Sequence, residues 1–262
     1  ISKYSPPQTF HSLEFDHVSF RYPGAKHDAI KDFSFSVHSG EHIALIGVNG
    51  SGKSTILKLI MRLYSPSKGK ILINGQNIQD FNLLEYYSLF STMFQDAQVY
   101  SFSIAENIAM SSVIDKEKMR LCMNLSGLTE VVQKFPAKEE TMLLKIVDDS
   151  GVELSGGEVQ KLAFARAIYK NAPIVLLDEP TAALDAFSER KMFDAIHSFI
   201  ENRTSIVVTH KLSSLKDYDK IIYIEMGELK EIGSHQELLS AQGRYAKLFH
   251  KQSDLYEKGV VQ

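Results

Sequence analysis

The stretch Gly47-Val48-Asn49-Gly50-Ser51-Gly52-Lys53-Ser54-Thr55 decides how this chain is read, because its spacing fits a phosphate cradle. Glycines let the backbone wrap closely, so that successive N–H groups point inward at an anion. At this spacing Lys53 reaches the β- and γ-phosphates of a nucleoside triphosphate, and the Ser54 hydroxyl takes one Mg2+ position. The flanks agree with that reading. Glu41-His42-Ile43-Ala44-Leu45-Ile46 reads as a buried strand entering the loop, and Ile56, Leu57, Leu59, Ile60 and Leu63 give a helical apolar face leaving it. Phosphate would then sit at a helix N-terminus, where orphan N–H groups and the macrodipole favour negative charge.

Composition sets the outer bounds. The 262 residues suffice for one large domain or two lobes with a stable interior. A net charge of -3 gives no electrostatic footprint for nucleic acid, so no nucleic-acid partner is expected. The one cysteine, Cys122, excludes an intrachain disulfide framework and reads as a small core residue. No apolar run approaches the length needed to span a bilayer, and no signal peptide is visible. The chain opens at Ile1 rather than Met, and we read it as a piece of something longer.

On either side of the loop the pattern alternates between strand and helix. Residues 1–11, with Pro6-Pro7, read as a linker or loose arm ahead of a domain over 12–262. Leu13, Phe15, Val18 and Phe20 roughly alternate, and Phe33, Phe35 and Val37 alternate strictly, which predicts antiparallel strands. Lys70–Gly75 and Phe90–Phe94 read as further strands, the second ending at Gln95. From about Ser103 to Lys134 the pattern turns helical, so a helical insertion of about 96–170 interrupts the α/β core. Alternation resumes with a strand at 174–177, a helix around 186–201 and strands at 205–209 and 221–225. Ser234-His235-Gln236-Glu237 is a capping box opening a final helix.

Two further segments carry chemistry. Ile174-Val175-Leu176-Leu177-Asp178-Glu179 is a buried strand ending in two acids, at the kind of strand end where open α/β sheets bind ligands. One acid there would hold Mg2+ through water and the other would polarise an attacking water. In Leu154-Ser155-Gly156-Gly157-Glu158, two glycines after a serine leave N–H groups exposed at the head of a helix, a second anion site with a hydroxyl donor.

With those residues in hand, the chain resembles the nucleotide-binding domain of an ABC transporter over roughly Leu13 to Phe249. Gly47–Thr55 resembles its Walker A motif, Leu154–Glu158 its signature motif with Glu158 where Gln is usual, and Ile174–Glu179 its Walker B motif. Ala183-Leu184-Asp185 resembles the D-loop, His210 the switch histidine, Gln95 the Q-loop residue and Tyr22 the aromatic that stacks on adenine. The fold so implied is an α/β P-loop NTPase core with an antiparallel β subdomain and a helical insertion. Gln95-Asp96 followed by Ile104-Ala105-Glu106-Asn107-Ile108 resembles the exporter type. Val147-Asp148-Asp149-Ser150-Gly151 lies where exporters carry a Gly-Glu segment that contacts the membrane domains, with Asp148 and Asp149 in place of that pair.

The resemblance implies ATP hydrolysis by positioning and electrostatics. Gly47, Asn49, Gly50, Ser51, Gly52, Lys53, Ser54 and Thr55 would hold the phosphates, with Ser54, Gln95 and Asp178 on Mg2+. Glu179 would be the general base, and His210 would hold the γ-phosphate. It further implies that Ser155, Gly156, Gly157 and Asp185 act on ATP bound to a second copy, in a homodimer that drives membrane domains of the same parent chain. That places the domain at the cytoplasmic face of the cell membrane. The wording of Leu154–Ile168 and Ala182–Asp185 is similar to bacterial peptide or lantibiotic exporters. Other readings are a soluble ABC-type ATPase acting on a macromolecular complex, the ATPase subunit of an importer, a P-loop kinase and a non-catalytic nucleotide-binding module.

Overall fold

Strand order follows from which residues can be buried on one face or on two. The computed structural model describes residues 4–146 and 149–257. In β1 (Ser12–Phe20) and β2 (Ile30–His38) the apolar residues point to one face, and the strands pair antiparallel with Leu13 opposite Val37 and Phe15 opposite Phe35. The alternation of β1 is only rough because the register shifts between Phe15 and Val18, where His17 takes a positive φ of 51°. A bulge of this kind inserts a residue without losing the inward face. In β3 (His42–Ile46), by contrast, every residue after His42 is buried, the near-continuous apolar run that a parallel strand covered on both faces requires.

The remaining elements follow in chain order. They are α1 (Lys53–Ile60), β4 (Lys68–Ile73), β5 (Gln76–Asn77), α2 (Leu83–Tyr87), β6 (Phe90–Met93), α3 (Ile104–Ala109), α4 (Lys116–Leu125) and α5 (Thr129–Val132). Then come α6 (Gly156–Lys170), β7 (Ile174–Asp178), α7 (Ala186–Ile200), β8 (Thr204–Val208), β9 (Lys220–Glu225), β10 (Glu228–Gly233), α8 (His235–Ser240) and α9 (Arg244–Glu257). They fall into two compact units, one running to Leu89 and resuming at Arg203, the other spanning Phe90–Asn202. No helix among the described residues is long and apolar enough to cross a membrane.

The first unit holds an antiparallel sheet in the order β2-β1-β4-β5 and strands in the order β10-β9-β3-β8. Within the latter, β3 runs parallel to both β8 and β9, with Ile43 level with Ile206 and Lys220. At the entry to β3 the Glu41 carboxylate accepts from Lys220 Nζ at 2.8 Å and from His38 N at 2.7 Å. Beneath α1, Tyr86 is fully buried and its hydroxyl donates to Ile60 O at 2.6 Å. Helix α1 is shorter than its apolar pattern suggests. Arg62 takes a positive φ of 54°, the helix ends at Ile60, and Leu63 lies 53% exposed rather than on the buried face.

The segment read as a loose arm is fastened down from Tyr4 onward. Tyr4 O accepts from Asn82 N at 2.8 Å, Phe10 is buried, and Asn74 Oδ1 accepts from both His11 N and Ser12 N.

In the second unit β6 and β7 pair in parallel, Phe90 with Ile174 and Met93 with Leu177, and α6 contacts β6, α3 and α4. Met119, Cys122 and Met123 form the buried stripe of α4. Burial pushes the Cys122 thiol up to about 11. The helical insertion expected at about 96–170 lies inside this unit, which also carries β6, β7 and α7.

Candidate active site

In the first unit the loop between β3 and α1 folds back on its own lysine. Lys53 is 5% exposed, and its Nζ donates to Gly47 O at 2.8 Å and Val48 O at 3.1 Å. Main-chain oxygens of the loop thus hold the ammonium.

Only glycine fits two of the positions. A Cβ on Gly47 would stand 2.1 Å from Ile224 O. A Cβ on Gly52, the left-handed N-cap of α1 at φ 111°, would stand 2.7 Å from Ile30 Cδ1 and 2.9 Å from Ala29 O. Gly50 also has a positive φ of 76° but faces open space, as does exposed Asn49. The buried Ser51 Oγ has no hydrogen-bond partner among the described residues. A tight glycine cradle, an oriented ammonium and the N-terminus of a two-turn helix are the donor set that a triphosphate requires.

Three further residues lie against this loop. The Tyr22 hydroxyl is 3.0 Å from Thr55 Oγ1, and the Tyr22 ring meets Phe20 and Tyr64 edge-on at 4.9 and 5.0 Å. Its placement at the start of α1 is therefore fixed within the chain. His210, exposed just beyond β8, shares with Gly47, Val48 and Asn49 the wall of a cavity of about 310 Å³ that Leu248 of α9 also lines. The sequence pattern marks Leu248 as an apolar residue of the final helix and not as part of this cavity.

In the second unit β7 carries Asp178, 4% exposed at its C-terminal end, and hands the chain to Glu179 at a positive φ of 48°. A non-glycine residue in that region is held there by its surroundings. The turn that follows is closed by Ala182 N to Glu179 O and Leu184 N to Thr181 O. Asp185 then caps α7, accepting from Phe187 N and Ser188 N at 3.0 Å each. Those hydrogen bonds, from Ser188 foremost, hold its carboxyl below the usual range. Gln95 stands exposed on the loop after β6.

Ser155 caps α6 in a reciprocal box. Its Oγ accepts from Glu158 N at 3.4 Å, and Glu158 Oε2 accepts from Ser155 N at 2.9 Å. Burial works against ionisation of Glu158, but the hydrogen bonds from Ser155 and the nearby Lys134 outweigh it and hold the carboxyl low. The glycine pair has a partner inside the chain as well. A Cβ on Gly157 would lie 3.2 Å from Leu184 Cδ2 and 3.3 Å from Ala183 O, and one on Gly156 would lie 3.5 Å from Ala183 Cβ. The approach of α6 to the turn before Asp185 is therefore tight at Gly157, quite apart from any anion, while a methyl group at Gly156 would make ordinary contact. Gln160 makes that contact firm and was not singled out by spacing. Val147 and Asp148, expected to contact a membrane domain, lie outside the described residues, while Asp149 is exposed.

In the first unit Ser54 offers a hydroxyl oxygen, and in the second Gln95 offers an amide oxygen and Asp178 a carboxylate, each a hard donor. Among the described residues no group of three or more His, Cys, Asp or Glu side chains could hold a metal ion.

Comparison with known proteins gives a consistent result. The family profile described as ABC transporter matches residues 30–182. An ATP-dependent lipid A-core flippase of Methylobacillus flagellatus is 40% identical over 243 residues, which is 92% of this chain and 41% of that protein. The protein of the same name from Paraburkholderia xenovorans is 40% identical over 240 residues, covering 90% of this chain and 40% of its own length. Among solved structures, a bacterial Atm1-family ABC exporter with ATP bound superposes with a TM-score of 0.87 at 31% identity, over 95% of this chain and 43% of that one. The chain spans about two fifths of the length of the curated relatives it matches.

Proposed function

The chain belongs to the ABC transporter family, and from that premise we propose that it is the ATP-hydrolysing motor domain of an exporter. The observation that carries this reading is the loop around Lys53, whose ammonium is bound by Gly47 O and Val48 O and whose glycines admit no side chain at 47 and 52.

In this reading the N–H groups of Gly50 to Thr55 and the Lys53 ammonium bind the β- and γ-phosphates and lower the cost of charge developing on the γ-phosphoryl oxygens. Ser54, Gln95 and Asp178 would hold Mg2+, which when bound supplies charge neutralisation across the phosphate oxygens. Glu179 accepts a proton from, or orients, the attacking water. His210 donates one ring N–H to the γ-phosphate, which its neutral form can do. Tyr22 offers an aromatic face to adenine, and Ser155, Gly156, Gly157 and Asp185 act on nucleotide bound by a second copy.

We propose membrane domains in the same parent chain, a homodimer that closes on two ATP molecules, and a position at the cytoplasmic face of the cell membrane. The relatives' names make an amphipathic lipid the cargo to test ahead of a peptide.

The test is phosphate release by the purified chain with ATP and Mg2+, compared with Glu179→Gln. Loss of about a hundredfold or more in turnover, with ATP affinity kept, is the expected result. The same variant should form ATP-dependent dimers by light scattering. Substantial turnover in Glu179→Gln would overturn the base assignment, and failure of the wild-type chain to bind ATP would overturn the whole reading.

A further inference from the structure

Two side chains of the second unit grip the loop after β6, and neither is among the residues assigned above. Asn107, on α3, is fully buried, and its amide is committed to the neighbouring main chain. Oδ1 accepts from Tyr100 N at 2.9 Å, while Nδ2 donates to Tyr100 O, Phe102 O and Ser103 O at 2.9, 3.2 and 3.0 Å. A buried amide is tolerated only when its donors and acceptors are met, so this one dictates the path of residues 100–103.

Arg166, on α6, adds the second tie. Its Nε donates to Asn107 O at 2.8 Å, and Nη2 donates to Gln98 O at 3.2 Å and Asn107 Oδ1 at 3.5 Å. The guanidinium also lies 5.6 Å from the centre of the Tyr100 ring. A planar fork can serve several acceptors and an aromatic face at once, which a lysine ammonium cannot reproduce.

The two ends of this tie matter. Gln98 sits on the same short loop as Gln95, and Arg166 sits about three turns along α6 from Ser155. We propose that Arg166, seated by Asn107, is a positioning residue that fastens the Gln95 loop to the helix headed by Ser155, Gly156 and Gly157, so that loop and helix move as one body. This inference rests on the reading of the chain as an ATPase. It adds a physical link between two segments that the motifs leave separate.

The experiment uses the full 262-residue chain. Wild type, Arg166→Lys, Arg166→Met, Gln95→Ala and the Arg166→Met/Gln95→Ala pair are compared by hydrogen exchange and by ATP turnover. Exchange at residues 98–103 should rise about tenfold in Arg166→Met, the effect of losing one hydrogen bond to a charged group, while β7 stays protected. Turnover should fall about tenfold with KM changed less than about twofold, and Arg166→Lys should fall between the two. The double variant should turn over no slower than Gln95→Ala alone, because both substitutions act through one loop.

Unchanged exchange at 98–103, or turnover losses that multiply in the double variant, would overturn the proposal. If Arg166→Met exposes β7, Arg166→Lys carries the test, since it keeps both charge and stem. A wild-type chain that binds no ATP would count against the ATPase reading, and the exchange at 98–103 would still decide whether the tie exists.

Discussion

Gln160 Oε1 accepts the main-chain N–H of Ala183 at 3.1 Å, and this bond fastens the helix behind Ser155 to the turn ahead of Asp185. The amide comes from a buried position on α6, at the place where Gly157 lets that turn approach. Two segments with separate expected roles are thus one packed contact. Gln160→Met keeps the length and volume but removes the acceptor, leaving a backbone N–H to seek water or stay unpaired. We expect a loss of about 1–3 kcal/mol in stability, with turnover falling further than ATP affinity. Thermal melts and phosphate release check this. An unchanged melting temperature would show that the Ala183 N–H is satisfied without Gln160.

Gly52 and Gly50 should differ sharply when replaced by alanine. At Gly52 a methyl group meets Ile30 Cδ1 and Ala29 O well inside contact distance, and the backbone is left-handed as well. At Gly50 only the left-handed backbone stands in the way. We expect Gly50→Ala to cost about 1–2 kcal/mol of strain, and Gly52→Ala to cost more and to abolish ATP binding by calorimetry. Equal affinity losses in the two variants would contradict the cradle described here.

Tyr86→Phe removes a buried hydroxyl that donates to Ile60 O at the last residue of α1. The surrounding stack on Phe81, with ring centres 6.1 Å apart, stays intact. The expected loss is about 1–2 kcal/mol, read as a fall of roughly 2–4 °C in melting temperature per kcal/mol. ATP affinity should hardly change, because the bond is at the far end of α1 from Lys53. A large affinity loss would mean that α1 transmits strain along its length.

His235 supplies a pH dependence. Its Nδ1 lies 2.5 Å from the Tyr245 hydroxyl and its ring stands against Tyr245 and Phe249, and burial lowers its pKa. Protons then bind the unfolded chain more readily than the folded one. Stability from this group is complete above the unfolded value of roughly 6.5 and is lost as pH falls from there through the lower folded value. Melting temperature should therefore fall more steeply from neutral to mildly acidic pH in wild type than in His235→Gln. Identical slopes would show that His235 takes up its proton at no cost.

The parallel strands were legible because burial on both faces leaves an uninterrupted apolar run, as in Ile43–Ile46 and Ile174–Leu177. The edge strand β10 was not legible, since Glu228, Lys230 and Glu231 alternate with little that is apolar. Helix α2 is five residues long, too short for a periodic pattern, and Leu63 kept the apolar spacing of α1 after the helix had ended. The candidate site showed the same division. Contiguous segments such as Gly47–Thr55 and Leu154–Glu158 carry their chemistry in residue type and spacing. Gln160 and Arg166 bind main-chain atoms distant in sequence, Asn107 binds the main chain four to seven residues before it, and a carbonyl or N–H looks alike in every residue.

Cys122 is the one sulfhydryl in the chain, and it is walled into the buried stripe of α4 with its ionisation suppressed. Near neutral pH it offers a thiol-directed reagent almost no nucleophile. Spin labels or fluorophore pairs can therefore be installed at introduced surface cysteines, Val113 or Phe187 for example, with the native residue left in place. Distance rulers across an ATP cycle become accessible in a chain that carries its natural core.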